Sequence, residues 1–289
     1  MKKLGFIGGG NMGEAMIHGL LVNHVFKASD LIASDLDAAR RRRLVRLFKI
    51  TATADNREVM TSTAALLIAV KPQVIEPVMD ELRLAIPAGT ARSAARRGTK
   101  TARNAAASRL FISIAAGVTI ERLERGLGPH ARVIRVMPNA PAMVGQGMAA
   151  MVRGRLATRA DEAFAMRLFG AVGEAVALRD ERLLDAVTAL SGSGPAYVYL
   201  FAKALTEAAI ADGLPPALSY QMTLQTIRGA AESMRRLKLE PGELIRRVAS
   251  PGGTTEAALR RFDAEGFSDI VAHAVHAAAE RSRELGRGS

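Results

Sequence analysis

The stretch LGFIGGGNMGEAMIHGLL, residues 4–21, decides the fold. Its opening, LGFIG at 4–8, is an apolar run of strand length, and from Asn11 onward Met12, Met16 and Leu20 recur at the spacing of one helix face. Where the two periods meet, Gly8, Gly10 and Gly13 spell G-x-G-x-x-G. In a strand–turn–helix setting the first glycine permits the tight turn, the second lets a pyrophosphate approach the backbone, and the third lets the helix close on the strand. Asp35 ends the next apolar run about 20 residues on, where such folds place an acid for the ribose. A dinucleotide-binding βα unit is the prediction.

The texture continues outward from this unit. LIASD at 31–35, AALLIAV at 64–70 closed by Lys71-Pro72, LFISIAAG at 110–117 and ARVIRVMP at 131–138 read as further strands, with helical stretches between most of them. Strands alternating with helices predict a mostly parallel sheet covered on both faces. GEAVAL at 173–178 reads as its last strand, which sets a first domain at 1–178. From Arg179 onward the pattern is helical, punctuated by SGSGP, GLPP, EPGE and SPGG, so residues 179–289 are expected to form an all-α domain. PAYVYLFAKALTEAAIADG is apolar nearly all round, which predicts a helix buried on every side. A domain this small cannot easily bury it alone, so a homodimer, or an oligomer built from dimers, is expected.

Composition narrows the chemistry. The 289 residues are 49% hydrophobic with 4% aromatics and no Trp, which favours close-packed helices and an aliphatic core over a β-sandwich. The absence of Cys excludes thiolate nucleophiles, disulfides and Cys-based metal sites, and no metal is expected. MKKLGFIGGG is too short and too glycine-rich in its apolar run for a signal peptide, and no stretch suits a membrane span, so a cytoplasmic protein with no membrane partner is expected. Half of the net charge of +12 lies in a basic insertion near 88–109, where Arg92, Arg96, Arg97, Lys100, Arg103 and Arg109 stand without acids. No Phe or Tyr lies between Arg83 and Leu110 to stack on bases, so the insertion is read as solvated, and no nucleic-acid partner is expected.

Two features divide on the cofactor. Asp35 would accept from both ribose hydroxyls and favour NAD, whereas Ser34, Asn56 and the run Arg40 to Arg43 suit a 2′-phosphate. A second glycine turn, SPGGTT at 250–255, precedes a helix-like EAALRRFDAEG and leaves backbone N–H groups open to another anion.

The motifs AVKPQV at 69–74, SIAAGV at 113–118, RVMPNAPA at 135–142, LSGSGPAYVY at 190–199 and SPGGTTEAAL at 250–259 resemble, in order and spacing, those of pyrroline-5-carboxylate reductase, the last enzyme of proline biosynthesis. The resemblance covers nearly the whole chain. It implies a Rossmann domain followed by a helical dimerisation domain, with NADPH preferred and NADH possible. Carried over, Gly8, Gly10, Asn11 and Met12 line the pyrophosphate, and Ser34 and Asn56 stand near the adenosine ribose. Ala69, Val70, Lys71, Pro72 and Ala116 flank the nicotinamide. Gly252, Gly253, Thr254 and Thr255 hold the small-molecule substrate, with N–H groups at Gly253, Thr254 and Thr255 on its carboxylate. The Thr255 hydroxyl serves as the catalytic group at the ring nitrogen, and Ser191 and Ser193 lie on the facing turn. The insertion, Gly9 in place of alanine and Leu36 in place of a basic residue depart from the family pattern.

The chemistry suits what is missing. Reducing a ketone develops an alkoxide and calls for a His, Tyr or Lys acid, but a cyclic imine arrives largely as the iminium and needs only orientation. His18, His24, His130, His273 and His276 all lie outside the motifs. A β-hydroxyacid dehydrogenase would use Lys203, yet the asparagine expected a turn later is absent from 204–211 and Glu207 stands at ion-pair spacing. A non-catalytic dinucleotide sensor would leave SPGGTT without a role.

Overall fold

The computed structural model describes residues 2–85 and 109–287. The basic insertion lies outside them except for Arg109. The chain forms two compact units, Met1–Gly192 with Ala279–Ser289, and Ser193–Ala278.

The first unit is built on an eight-stranded sheet in the order β3-β2-β1-β4-β5-β6-β7-β8. The strands are β1 Lys2–Ile7, β2 Leu31–Ser34, β3 Thr51–Thr53, β4 Thr63–Ile68, β5 Leu110–Ser113, β6 Arg132–Met137, β7 Gly147–Arg153 and β8 Gly173–Leu178. All neighbours are parallel except β6 and β7. Side chains alternate between two buried layers, as apolar runs covered on both faces must. Leu4, Phe6, Leu67, Ile112 and Val136 face one, with Met16, Ile17 and Leu20 of helix α1 (Asn11–Val22). Ile7, Leu66, Ile68, Phe111 and Val133 face the other. There they meet α3 (Asn56–Ser62), α4 (Ile75–Leu84) and α5 (Ile120–Leu127). Helices α2 (Ala38–Phe48) and α6 (Arg159–Gly170) complete the layers.

Two strands escape the sequence pattern. TAT in β3 is three residues long, below the length at which alternation registers. GMAAMVR in β7 is a run of small and apolar residues with no period of two, because both its faces are covered. The sheet unit also extends past residue 178. Helix α7 (Leu183–Val187) and the π-helical turn Thr188–Gly192 stay with the sheet, Leu184 being buried with Ile120, Ala150 and Val152. Arg109 is no part of a loose insertion: its guanidinium donates to the carbonyls of Met60 and Thr63 at the junction of α3 and β4, and burial pushes its pKa down.

The second unit is helical: α8 Gly194–Ala211, α9 Pro216–Leu237, α10 Pro241–Val248, α11 Thr254–Ala264 and the first part of α12, Phe267–Arg287. Here the expectation of a helix buried on every side is corrected for the single chain. No residue of α8 is buried, and Tyr199 and Leu200 are 64% and 68% exposed. Among the described residues, no helix is long and apolar enough to cross a membrane.

Candidate functional site

Strands β1, β4, β5 and β6 end on one row, the register aligning Ile7 with Ile68, Ile68 with Ser113 and Ser113 with Arg135. Strand order reverses between β1 and β4, and open α/β sheets take ligands in the crevice beyond the carboxyl ends at such a reversal. Gly8, Gly10, Asn11 and Met12 follow β1 there, Ala69 to Pro72 follow β4, and exposed Ala116 follows β5. Gly8 adopts φ +99°, and a Cβ on it would stand 2.8 Å from the Ala69 carbonyl oxygen. A Cβ on Gly13 would lie 2.5 Å from the Gly8 carbonyl oxygen, so any side chain there would push α1 off the strand. Beside Gly10 the space is open up to Arg40 Nη1, 3.4 Å from the position of a Cβ. Among the described residues no side chain caps α1, and its first-turn N–H groups face this space. A dinucleotide pyrophosphate fits the turn on these grounds.

The ribose side differs from a plain acid acceptor. Asp35 Oδ2 accepts from the Gly9 N–H at 2.9 Å, and Oδ1 accepts from the Asp37 N–H, also at 2.9 Å. Arg40 reaches the same carboxylate at 3.8 Å, and Arg41 donates to the carbonyls of Asp35 and Leu36 at 2.7 and 2.9 Å. Asp35 thereby holds the glycine turn. Ser34 and Asn56 meet, but inside the protein. The Ser34 hydroxyl, 1% exposed, donates to Asn56 Oδ1 at 2.6 Å, and Asn56 Nδ2 donates to Glu81 at 2.8 Å. The Ser34 hydroxyl thus faces Asn56 within the protein, and a cation beside the glycine turn is Arg40, which the sequence offered only as one of a basic run.

Beyond β6, the MPNAPA segment reaches the serine turn. Asn139 Nδ2 donates to the Ser191 carbonyl at 3.1 Å and to Ser191 Oγ at 3.2 Å, while Asn139 Oδ1 accepts from the Met148 N–H at 2.8 Å. Ser191 is thus fixed to the carboxyl edge of the sheet. Arg135, buried, pairs with Glu181 at 2.6 Å, and the same carboxylate oxygen accepts from the Ile120 N–H at 2.8 Å, which ties the start of α5 to the chain entering α7. Ser193 begins the helical unit.

Within that unit, Gly253 is the residue before α11 and Gly252 turns at φ +69°. Not every N–H expected on a ligand is open. Gly253 donates to the Ser250 carbonyl at 3.0 Å and Gly252 to the Glu256 carboxylate at 2.6 Å. That Gly252 bond, with the Arg260 guanidinium, holds the Glu256 carboxyl below its usual range. No side chain caps α11, so the N–H groups of Thr254 and Thr255 remain as open donors among the described residues. Thr254 is exposed, whereas half-buried Thr255 lines a cavity of about 540 Å³ with Met234, Leu237, Ile245, Val248 and Leu259. Lys203, the alternative catalytic group, pairs with Glu207 at 3.7 Å, and both side chains are well exposed.

Comparison with known proteins agrees in both halves. Residues 181–285 match the family model for pyrroline-5-carboxylate reductase dimerisation, and residues 3–117 match that for coenzyme F420-dependent NADP oxidoreductases. A pyrroline-5-carboxylate reductase of Synechocystis is 38% identical over 99% of this chain and 98% of its own. One from Pseudomonas aeruginosa is 38% identical over 98% and 96%. Among solved structures, a pyrroline-5-carboxylate reductase from Coxiella burnetii superposes with a TM-score of 0.86 at 30% identity, covering 98% of both chains. A Plasmodium falciparum pyrroline carboxylate reductase with NADP bound gives 0.83 at 29% identity, covering 99% and 98%. With relatives of this identity matched from end to end, and a sheet and helical half each consistent with them, the chain belongs to the pyrroline-5-carboxylate reductase family.

Proposed function

We propose that this chain reduces the cyclic imine L-1-pyrroline-5-carboxylate to L-proline with hydride from a nicotinamide dinucleotide, the last step of proline biosynthesis. The observation that carries the reading is the end-to-end match to named reductases in a chain that keeps two uncapped helix starts, one at the GGGNMG turn and one at SPGGTT. When bound, the dinucleotide supplies the hydride that the imine carbon accepts. The chain's own part is binding and orientation. Gly8, Gly10, Asn11 and Met12 take the pyrophosphate, and Ala69 to Pro72 with Ala116 border the nicotinamide. Thr254 and Thr255 N–H groups, beside Gly252 and Gly253, serve the substrate carboxylate and the Thr255 hydroxyl orients the ring nitrogen, while Ser191 and Ser193 are further substrate-binding residues in this reading. Because the iminium already carries its proton, no acid of matched pKa is needed. Held in register, the reactants gain several kcal/mol from orientation alone.

NADPH is the preferred donor in this reading. Asp35 already accepts from the Gly9 and Asp37 N–H groups, and Arg40 beside it offers a cation to a 2′-phosphate. The helical region serves dimerisation and substrate binding in a cytoplasmic homodimer, supported by the dimerisation model over 181–285 and by the apolar side chains that α8 leaves exposed. The test is NAD(P)H oxidation with pyrroline-5-carboxylate and with 2-oxo acids, beside NAD(P)+ reduction with 3-hydroxy acids. Turnover of the imine alone is expected, and turnover of a hydroxy acid in its place would move the chain to the Lys203 reading.

A further inference from the structure

We infer that Asn139 is a positioning residue whose amide fixes the Ser191 hydroxyl as a hydrogen-bond donor toward the carboxylate of a bound substrate; this rests on the reading that Ser191 serves the substrate. The polarity of the contact follows from three groups. The Met148 N–H can only donate, so the Asn139 atom it meets at 2.8 Å is the amide oxygen, and the NH2 must point the other way. That NH2 can only donate as well, so Ser191 Oγ, 3.2 Å away, accepts from it. The proton of the Ser191 hydroxyl is left to point elsewhere, and among the described residues nothing takes it. A hydroxyl held in this state suits an acceptor, and an anionic one most of all.

The surroundings keep this relay in place. Ser191 sits on the π-helical turn Thr188–Gly192, and such single turns recur at functional sites. The turn is pinned three times. Thr188 Oγ1 donates to the Leu184 carbonyl at 2.7 Å, Asn139 Nδ2 also holds the Ser191 carbonyl at 3.1 Å, and Gly192 lies against the Met137 methyl. Asn139 is itself the second residue after β6, so the direction of the Ser191 proton is set from the end of a central strand.

Asn139→Asp tests this directly, because it keeps the side-chain shape and the Met148 bond while an ionised carboxylate can only accept and so captures the Ser191 proton. At pH 8, KM for pyrroline-5-carboxylate is expected to rise by about tenfold or more, with kcat and the Kd for NADPH by fluorescence titration little changed and the melting temperature lowered by the lost bond to the Ser191 carbonyl. As pH falls through the carboxylate range, the protonated Asp donates again, and KM relative to the unsubstituted chain at the same pH should recover. Ser191→Ala should raise KM by a similar factor without that recovery, and adding Asn139→Asp to it should raise KM no further, lowering only the melting temperature through the lost bond to the residue 191 carbonyl. An unchanged KM in Asn139→Asp beside a raised KM in Ser191→Ala would overturn the inference, as would a further rise in KM in the double variant. An unchanged KM in Ser191→Ala would instead remove Ser191 from the substrate, and absence of any imine turnover in the unsubstituted chain would remove the reductase reading itself. Should Asn139→Asp fail to fold, Asn139→Ala replaces it, with a KM rise of about threefold expected and lost in the Ser191→Ala background.

Discussion

Thr255 is half-buried against an apolar cavity and its hydroxyl does not cap α11, so its removal should cost chemistry and leave stability alone. Thr255→Ala is expected to lower kcat/KM by on the order of ten- to a thousandfold, roughly 1.4 to 4 kcal/mol. NADPH affinity and melting temperature should barely move, and Thr254→Ala is the neighbouring control. A variant that melts several degrees lower yet turns over normally would make Thr255 a structural residue. At the other turn, Arg40→Ala should weaken NADPH by about tenfold or more, the scale of one charge-assisted hydrogen bond, while NADH binding changes little. Calorimetric titration with both nucleotides reads this, and equal weakening of the two would contradict a 2′-phosphate role. The two glycine turns were legible because what they demand of the backbone is local, as the positive φ of Gly8 and of Gly252 shows. Ser34 and Asn139 were not: the first is turned inward by Asn56 and the Phe6 carbonyl, and the second acts on a partner 52 residues away. No pattern of spacing encodes either.

Elements were legible where both hydrophobic period and length registered. The switch from a strand run to helical spacing at Gly8 to Asn11 marked β1 and α1, and LIAS, LLI and VIRV marked the central strands. Strands β3 and β7 were lost to shortness and to the absence of alternation, and with β7 went the one antiparallel pairing. The boundary near 178 was set by the last strand pattern, whereas burial of Leu184 carries the sheet unit to Gly192. A prediction at this scale concerns the segment before β5. Deleting Ala91 to Ser108 while keeping Arg109 should preserve NADPH binding and turnover, because Arg109 already anchors the start of β5 to Met60 and Thr63. Arg109→Ala in the full chain should destabilise by roughly 1–3 kcal/mol, leaving two carbonyls without their donor. Chemical denaturation compares the two. A deletion that folds but has lost all activity would show that the insertion takes part in the reaction.

At the scale of the whole molecule, the apolar surface of α8 calls for a second copy. Sedimentation should find a dimer or a multiple of it, and Leu200→Glu, at a side chain 68% exposed in the single chain, should shift the equilibrium toward monomer and lower turnover with it. A monomer that turns over at full rate would separate assembly from activity. The central claim is that hydride passes to an imine carbon held by the chain, and it can be read in the product. The chain is supplied with pyrroline-5-carboxylate and NADPH carrying deuterium at the transferable position of C4, and the product is analysed by mass spectrometry. One deuterium on the δ carbon of L-proline, formed in step with cofactor oxidation, is the predicted result. Proline without the label, or no proline from folded protein that binds NADPH, would contradict the account.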